Sequence, residues 1–233
     1  ATPTDLAPLR EPPAAPQVAT HNFRFSEDYD LYPSGAKTKY KNNVMAIKLL
    51  KQIELEKRTA TPEEQIILAR YVGWGGLANA FSSTASGWEN EYQELKSLLT
   101  DVEYKAAMNS TITAYYTEPD LIRHIYRALE RFGFEGGPDR KILDPGMGTG
   151  NFYSVLPEQF QGSKLFGVEL DSITGRIAKQ LYPDADISIM GYEATKFEDN
   201  SFDVILGNIP FNSVKIYDRR YNDLNPYIHD YFF

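Results

Sequence analysis

KILDPGMGTGNF, residues 141–152, decides how this chain folds. A short apolar run ends at Asp144, Pro145 follows, and Gly146, Gly148 and Gly150 alternate before a helical stretch opens at Asn151 and Phe152. The run reads as a strand. Glycines at that spacing turn the chain tightly and let a backbone approach a ligand closely before the next helix begins. Alone, the loop is compatible with an ordinary βα turn. The second element is KLFGVELD, residues 164–171, a strand that ends in Glu169 about 20 residues beyond the loop, where a carboxylate can accept both hydroxyls of a ribose. The pair predicts a nucleoside site at the carboxyl edge of a doubly wound sheet. Dinucleotide sites space their glycines GxGxxG, whereas this loop reads GxGxG after Asp-Pro, which disfavours a pyrophosphate clamp.

Outward from the loop, short β-rich runs (DISIMG at 186–191, FDVILGN at 202–208) alternate with helical stretches (PDLIRHIYRALERF at 119–132, SITGRIAKQLY at 172–182). This is the pattern of βαβ units and a parallel sheet. Upstream of residue 111 the pattern is helical. Ala46, Ile47, Leu49, Leu50 and Ile53 share one face, with Lys41, Lys48, Lys51 and Arg58 opposite. Thr61-Pro62-Glu63-Glu64 and Thr100-Asp101-Val102-Glu103 each carry the signature of a capped helix start. Between them, the glycines of YVGWGGLANAF (71–81) stop a helix and its aromatics are expected to pack. Residues 1–21, with Pro3, Pro8, Pro12, Pro13 and Pro16, read as an extended tail. The expected organisation is therefore a Pro/Ala-rich tail at 1–21, a helical region at 22–110 and an α/β domain at 111–233.

The 233 residues, 42% hydrophobic and 24% charged, have an ordinary globular composition. No apolar run approaches the roughly 20 residues of a membrane span, and no signal pattern opens the chain, so a cytoplasmic location and no membrane partner are expected. Cysteine is absent and the histidines (His21, His124, His229) are scattered, so no metal site is expected. A net charge of −8 argues against a nucleic-acid-coating surface. Residues 37–58 nevertheless hold seven basic and two acidic side chains. They are either a phosphate-contacting helix or a solvated lysine face.

The glycine loop resembles motif I of S-adenosylmethionine-dependent amino methyltransferases, DPxxGxGxF, with Asp144, Pro145, Gly148, Gly150 and Phe152 at its fixed positions. AYYTEPDLI (114–122) resembles the FYTPxxL segment that precedes motif I, which implies that Tyr116 and Thr117 touch the methionine end of the cofactor. A plain helix start, with Thr117 as N-cap and Asp120 in the first turn, is the alternative there. The resemblance also places Gly146, Asn151 and Leu170 among the cofactor contacts, Glu169 on the ribose and Glu193 on the adenine amino group, with Tyr192 as a stacking partner. Asn208-Ile209-Pro210-Phe211 is similar to the NPPF/NPPY tetrapeptide of these enzymes. There the Asn side chain and the next carbonyl accept the hydrogens of a planar amine, while the aromatic residue stacks on a flipped base. Ile209 supplies a carbonyl as proline would; only the locked φ of a Pro-Pro pair is lost.

In this order the segments resemble adenine-specific DNA methyltransferases of the gamma type. The strings KTKYKNN, YVGWGGL, ELKSLLT and YNDLNPYIHDYFF resemble, more narrowly, the methylase region of large methylase–helicase proteins of bacterial conjugative elements and phages. The resemblance implies an α/β, class I Rossmann-like methyltransferase fold with a parallel sheet, S-adenosylmethionine as cofactor, adenine in DNA as target, and an SNF2-like helicase region downstream. That family has seven strands. Only about four are legible here, so the chain is expected to be a C-terminally truncated piece of a longer polypeptide. The rival readings are methyl transfer to another planar amine, such as a glutamine amide or a guanine or RNA amino group, and a cofactor-binding module without catalysis.

Overall fold

In the computed structural model, residues 19, 21–32, 34–112, 116–210 and 215–232 are described. Nearly all of the expected N-terminal tail lies outside them. The chain enters helix α1 (Ala36–Leu55) after Gly35, and α1 buries Tyr40, Asn43, Val44, Ala46, Ile47, Leu50 and Ile53 on the predicted apolar face. Helix α2 (Pro62–Ala69) starts as its sequence dictates: the Glu64 N–H donates to Thr61 Oγ1 at 3.2 Å, and the Thr61 N–H donates to the Glu64 carboxylate at 2.9 Å. Helices α3 (Glu89–Leu98) and α4 (Asp101–Asn109) follow, the second opened by the same reciprocal cap between Thr100 and Glu103. Capping of this kind stabilises a helix start by about 1 kcal/mol.

Helix α5 (Pro119–Arg131) leads into strand β1 (Lys141–Asp144). Its N-cap is Glu118, one residue later than the alternative reading of Thr117, because Pro119 takes the first helical position, where its missing N–H costs nothing. Then come the single turn α6 (Asn151–Ser154), β2 (Lys164–Glu169), α7 (Ser172–Leu181), β3 (Asp186–Ile189), β4 (Val204–Ile205) and the turn α8 (Ile228–Tyr231). The four strands form one sheet in the order β3-β2-β1-β4, and every pairing is parallel. This is the α/β arrangement with a parallel sheet expected from the alternating pattern, and the class I Rossmann-like fold that the resemblance implies. All four strands therefore end at the same edge. The order reverses between β1 and β4, the place where open parallel sheets leave a crevice for ligands.

The fourth strand departs from its sequence reading. FDVILGN reads as a buried strand, yet only Val204 and Ile205 pair, and Ile205 is 55% exposed between buried Val204 and Leu206. Among the described residues β4 pairs with β1 alone, and Ile205 faces outward where a continuous apolar run implies cover on both faces.

The helical region shares one hydrophobic core with the sheet. The Phe23 N–H donates to Leu181 O at 2.7 Å and the Phe25 N–H to Ser154 O at 2.9 Å, so the chain before α1 is tied to α6 and α7. Buried Gln65 donates to Gln180 O at 2.9 Å, and the Gln180 side chain accepts from the Ala60 N–H at 2.9 Å. The basic stretch is largely neutralised: Lys37 pairs with Glu91, Lys48 with Glu94, Lys51 with Glu103, and Arg58 with Glu64. Residues 37–58 thus lack the uniform positive face that their composition suggests. Burial opposes ionisation of Glu103, but the Thr100 N–H, Arg176 and Lys51 outweigh it and hold its pKa at about 2.

Candidate active site

Asp144 closes β1 and is buried, with the Gly146 N–H donating to its Oδ1 at 3.2 Å. One backbone donor does not offset the loss of water around a carboxylate, so burial pushes its pKa up to about 8, with the charge of Glu169 adding to the rise. Beside it, β4 continues into Gly207. A Cβ on Gly207 would stand 2.5 Å from Asp144 Oδ1 and 3.5 Å from Pro145 Cδ, so only glycine lets the two strand ends meet. Gly146 lies under the tetrapeptide: the nearest atom to a Cβ built there is Pro210 Cδ, at 4.0 Å. The glycine loop and residues 208–210 are therefore neighbours at the crevice between β1 and β4.

Glu169, at the end of β2, holds the other side of the loop. Its Oε2 accepts from the Gly148 N–H at 2.9 Å and its Oε1 from the Asp171 N–H at 2.7 Å. Burial raises its pKa to about 7 against these donors, and the neighbouring Asp171 charge adds to the rise. Gly148 adopts φ +57°, a left-handed turn, and its missing Cβ faces the Tyr116 ring at 3.2 Å. Gly150 N-caps α6, and a Cβ there would strike Tyr182, whose hydroxyl donates to Gly150 O at 2.7 Å. The space at Gly150 thus belongs to a tyrosine of the core. Asn151 reaches back to donate to Thr117 O at 3.3 Å, which anchors the 116–118 segment over the loop through its backbone. Phe152 is buried, its carbonyl accepting from the Tyr126 hydroxyl at 2.9 Å, whereas Leu170 is 75% exposed at the rim.

The adenine end differs from the reading of its residues. Glu193 lies exposed in a short turn after β3, with its carboxylate folded back over Gly191. Tyr192 is already stacked on Phe232, with ring centres 5.1 Å apart and planes 10° apart, so its face is taken by the C-terminal turn. Asn208 is exposed, and its side chain makes no hydrogen bond among the described residues; Ile209 and Pro210 are half-buried beside it. Phe211 lies outside the described residues.

Two groups at the site escaped the sequence reading. The Tyr71 hydroxyl and Asp171 Oδ1 are both buried without a hydrogen-bond partner among the described residues. Burial raises the Tyr71 pKa, and the charges of Asp171 and Glu169 push the same way, so its hydroxyl lies close to the Glu169 turn. Tyr71 comes from the YVGWGGL loop, which buried Asn43 clamps by donating to Gly73 O at 2.6 Å and accepting from the Val72 N–H at 2.9 Å. The signal was present as a glycine-interrupted aromatic run, but nothing local tells which of its aromatics points toward the sheet. Among the described residues no cluster of His, Asp or Glu suits a metal ion, and no helix is long and apolar enough to cross a membrane.

Residues 143–220 match the model of a methyltransferase domain family. Two relatives are similar over parts of the chain. Defense against restriction protein B of Escherichia phage P1 is 27% identical over 171 residues, 72% of this chain and 6% of that protein. Modification methylase CviBIII of Paramecium bursaria Chlorella virus NC1A is 32% identical over 78 residues, 34% of this chain and 21% of that protein. The chain thus spans a minor part of the length of either relative. Among solved structures, a TehB-like S-adenosylmethionine-dependent methyltransferase of Corynebacterium glutamicum aligns with 39% of this chain and 54% of its own, at 25% identity and a TM-score of 0.26.

The residues fit such a cofactor. The end of β2 carries a carboxylate, a tyrosine ring lies over a left-handed glycine, and two polar atoms without a partner among the described residues adjoin them. The matched stretch, the parallel strand order and this constellation are what residues 143–220 have in common with that methyltransferase domain family.

Proposed function

We propose that the chain is the methyl-transferring part of an enzyme that modifies the exocyclic amino group of adenine in DNA. The observation that carries this reading is the placement of Asn208: it leaves β4 at the switch point of the sheet, beside the glycine loop, with an exposed amide that nothing among the described residues engages. An amino group on a heteroaromatic ring is a poor nucleophile because its lone pair is delocalised into the ring. Asn208 Oδ1 and the Ile209 carbonyl accept its two hydrogens, favouring a pyramidal nitrogen with a lone pair free to attack. When bound, S-adenosylmethionine supplies a methyl group on a positively charged sulfur. Glu169 and Tyr116 hold that molecule against the loop, and no covalent bond to the protein is required.

The similarity to a modification methylase over 78 residues supports DNA over a protein amide as substrate. The test is methyl transfer from labelled S-adenosylmethionine to DNA, to RNA and to protein extracts, with Asn208→Ala as control. Label in adenine of DNA that disappears in the variant is the expected result. Label in RNA or protein alone moves the assignment to another planar amine. Cofactor binding with no transfer to any of the three leaves a binding module.

A further inference from the structure

Four residues beyond the tetrapeptide, the chain presents a surface that methyl transfer itself does not use. Tyr217 is 73% exposed and Tyr221 45%, and the stretch KIYDRRY (215–221) interleaves these two rings with Lys215, Arg219 and Arg220; Tyr227, 46% exposed, follows. The only acid in that stretch, Asp218, is buried and spent: it accepts from the Arg220 N–H at 2.9 Å, from the Arg220 guanidinium at 2.7 Å and from the Tyr231 hydroxyl at 2.6 Å. Those bonds hold its carboxyl well below the usual range, so it stays an anion locked against Arg220. This hub pins the loop to α8, and Arg220 also donates to Glu193 O. Lys215 lies 5.3 Å from the Tyr227 ring and Arg220 5.6 Å from the Tyr221 ring. Arg219 is exposed and makes no ion pair among the described residues. Residues 215–227 hold three basic and two acidic side chains, and with Arg220 locked to Asp218 and Asp223 exposed, Lys215 and Arg219 are the cations left open in a chain of net charge −8.

Exposed aromatic rings beside cations match one kind of partner, a nucleic-acid strand whose bases are out of their stack. Tyr227 is stacked on His229, with ring centres 5.7 Å apart, so Tyr217 is the ring that best offers a face any base can use, and Lys215 and Arg219 are the cations that can meet a phosphate. A duplex keeps its base faces covered and gains from the cations alone. We propose that residues 215–227 bind an unstacked DNA strand next to the target base, with Tyr217 as a stacking platform and Arg219 on the backbone. The inference rests on the DNA reading above and deepens it: extraction of a base from the duplex exposes neighbouring base faces, and this surface receives them.

Fluorescence anisotropy of the full chain with one labelled sequence, offered as single-stranded DNA, duplex DNA and RNA, tests it. Tighter binding to the single DNA strand is expected, with Tyr217→Ala and Arg219→Ala each weakening it about tenfold. Arg219→Ala also lowers the salt slope by about one, which Tyr217→Ala leaves unchanged. Both positions are solvent-exposed, so the melting temperature and calorimetric S-adenosylmethionine affinity should match the unsubstituted chain. Unchanged anisotropy in both variants, no binding of the single strand, or preference for duplex or RNA overturns the proposal. Failure of cofactor binding in the same preparation counts against the methyl-transfer reading instead, and so separates the two.

Discussion

The two sides of the sheet edge are built differently. On the side of Glu169, β2 is paired through four residues to each of β1 and β3, and both oxygens of Glu169 are engaged by backbone N–H groups. On the amine side, β4 pairs through two residues to one neighbour, and Asn208 stands exposed with no hydrogen bond among the described residues. On the proposed reading, the group that grips the cofactor at each turnover is held by its own chain, and the group that engages an incoming amine keeps its acceptor open. The difference teaches where mutations should separate binding from chemistry.

The largest effect is expected at the open side. Asn208→Ala should lower methyl transfer by about two to three orders of magnitude while leaving S-adenosylmethionine affinity unchanged, measured by label transfer and calorimetry. An equal loss in both would erase the contrast between the two sides. Next comes the junction between them. Gly207→Ala puts a Cβ 2.5 Å from Asp144 Oδ1, and overpacking of this sort costs about 1–3 kcal/mol, read as a lowered denaturation midpoint.

Two pH effects follow from the buried carboxylates. Asp144 is raised from 3.8 to about 8, so between those values the folded chain binds more protons than the unfolded one. Its contribution to stability is fully present below pH 3.8 and is lost as pH rises through about 8. Asp144→Asn should flatten that decline in a denaturation series. Glu169 is raised to about 7, and ribose hydroxyls donate to the ionised form, so cofactor affinity should rise as pH passes upward through about 7. Glu169→Gln should bind more weakly and lose that pH dependence in calorimetry. The smallest effect is at Tyr71. Its hydroxyl is buried, near Thr174 and without a well-formed hydrogen bond among the described residues, so Tyr71→Phe should change the stability of the cofactor-free chain by less than about 1 kcal/mol, or raise it, in chemical denaturation.

Much of the fold was legible because it is written in short spacings. The reciprocal caps at Thr61 and Thr100 need only a hydroxyl and a glutamate three residues on, and both formed. The loop at 144–150 needs only a strand end and glycines, and Gly148 and Gly150 take the positive φ that their identity permits. The adenine end was less legible. Tyr192 as an open stacking face could not be judged without knowing that Phe232, forty residues later, packs on it. The lysines of α1 looked like one basic face because their partners lie on α3 and α4, far along the chain.

By itself the sequence determined the elements, their alternation and the chemistry at each strand end, since these depend on contacts within a few residues. Only the tertiary structure decided that β4 lies beside β1, which brings Pro210 over Gly146 and Gly207 against Asp144. It also decided that a tyrosine some hundred residues upstream of Glu169 adjoins its turn. The physical reason is that hydrogen-bond caps and turns are selected locally, whereas which strands pair and which helix covers them depends on how distant apolar faces share one core.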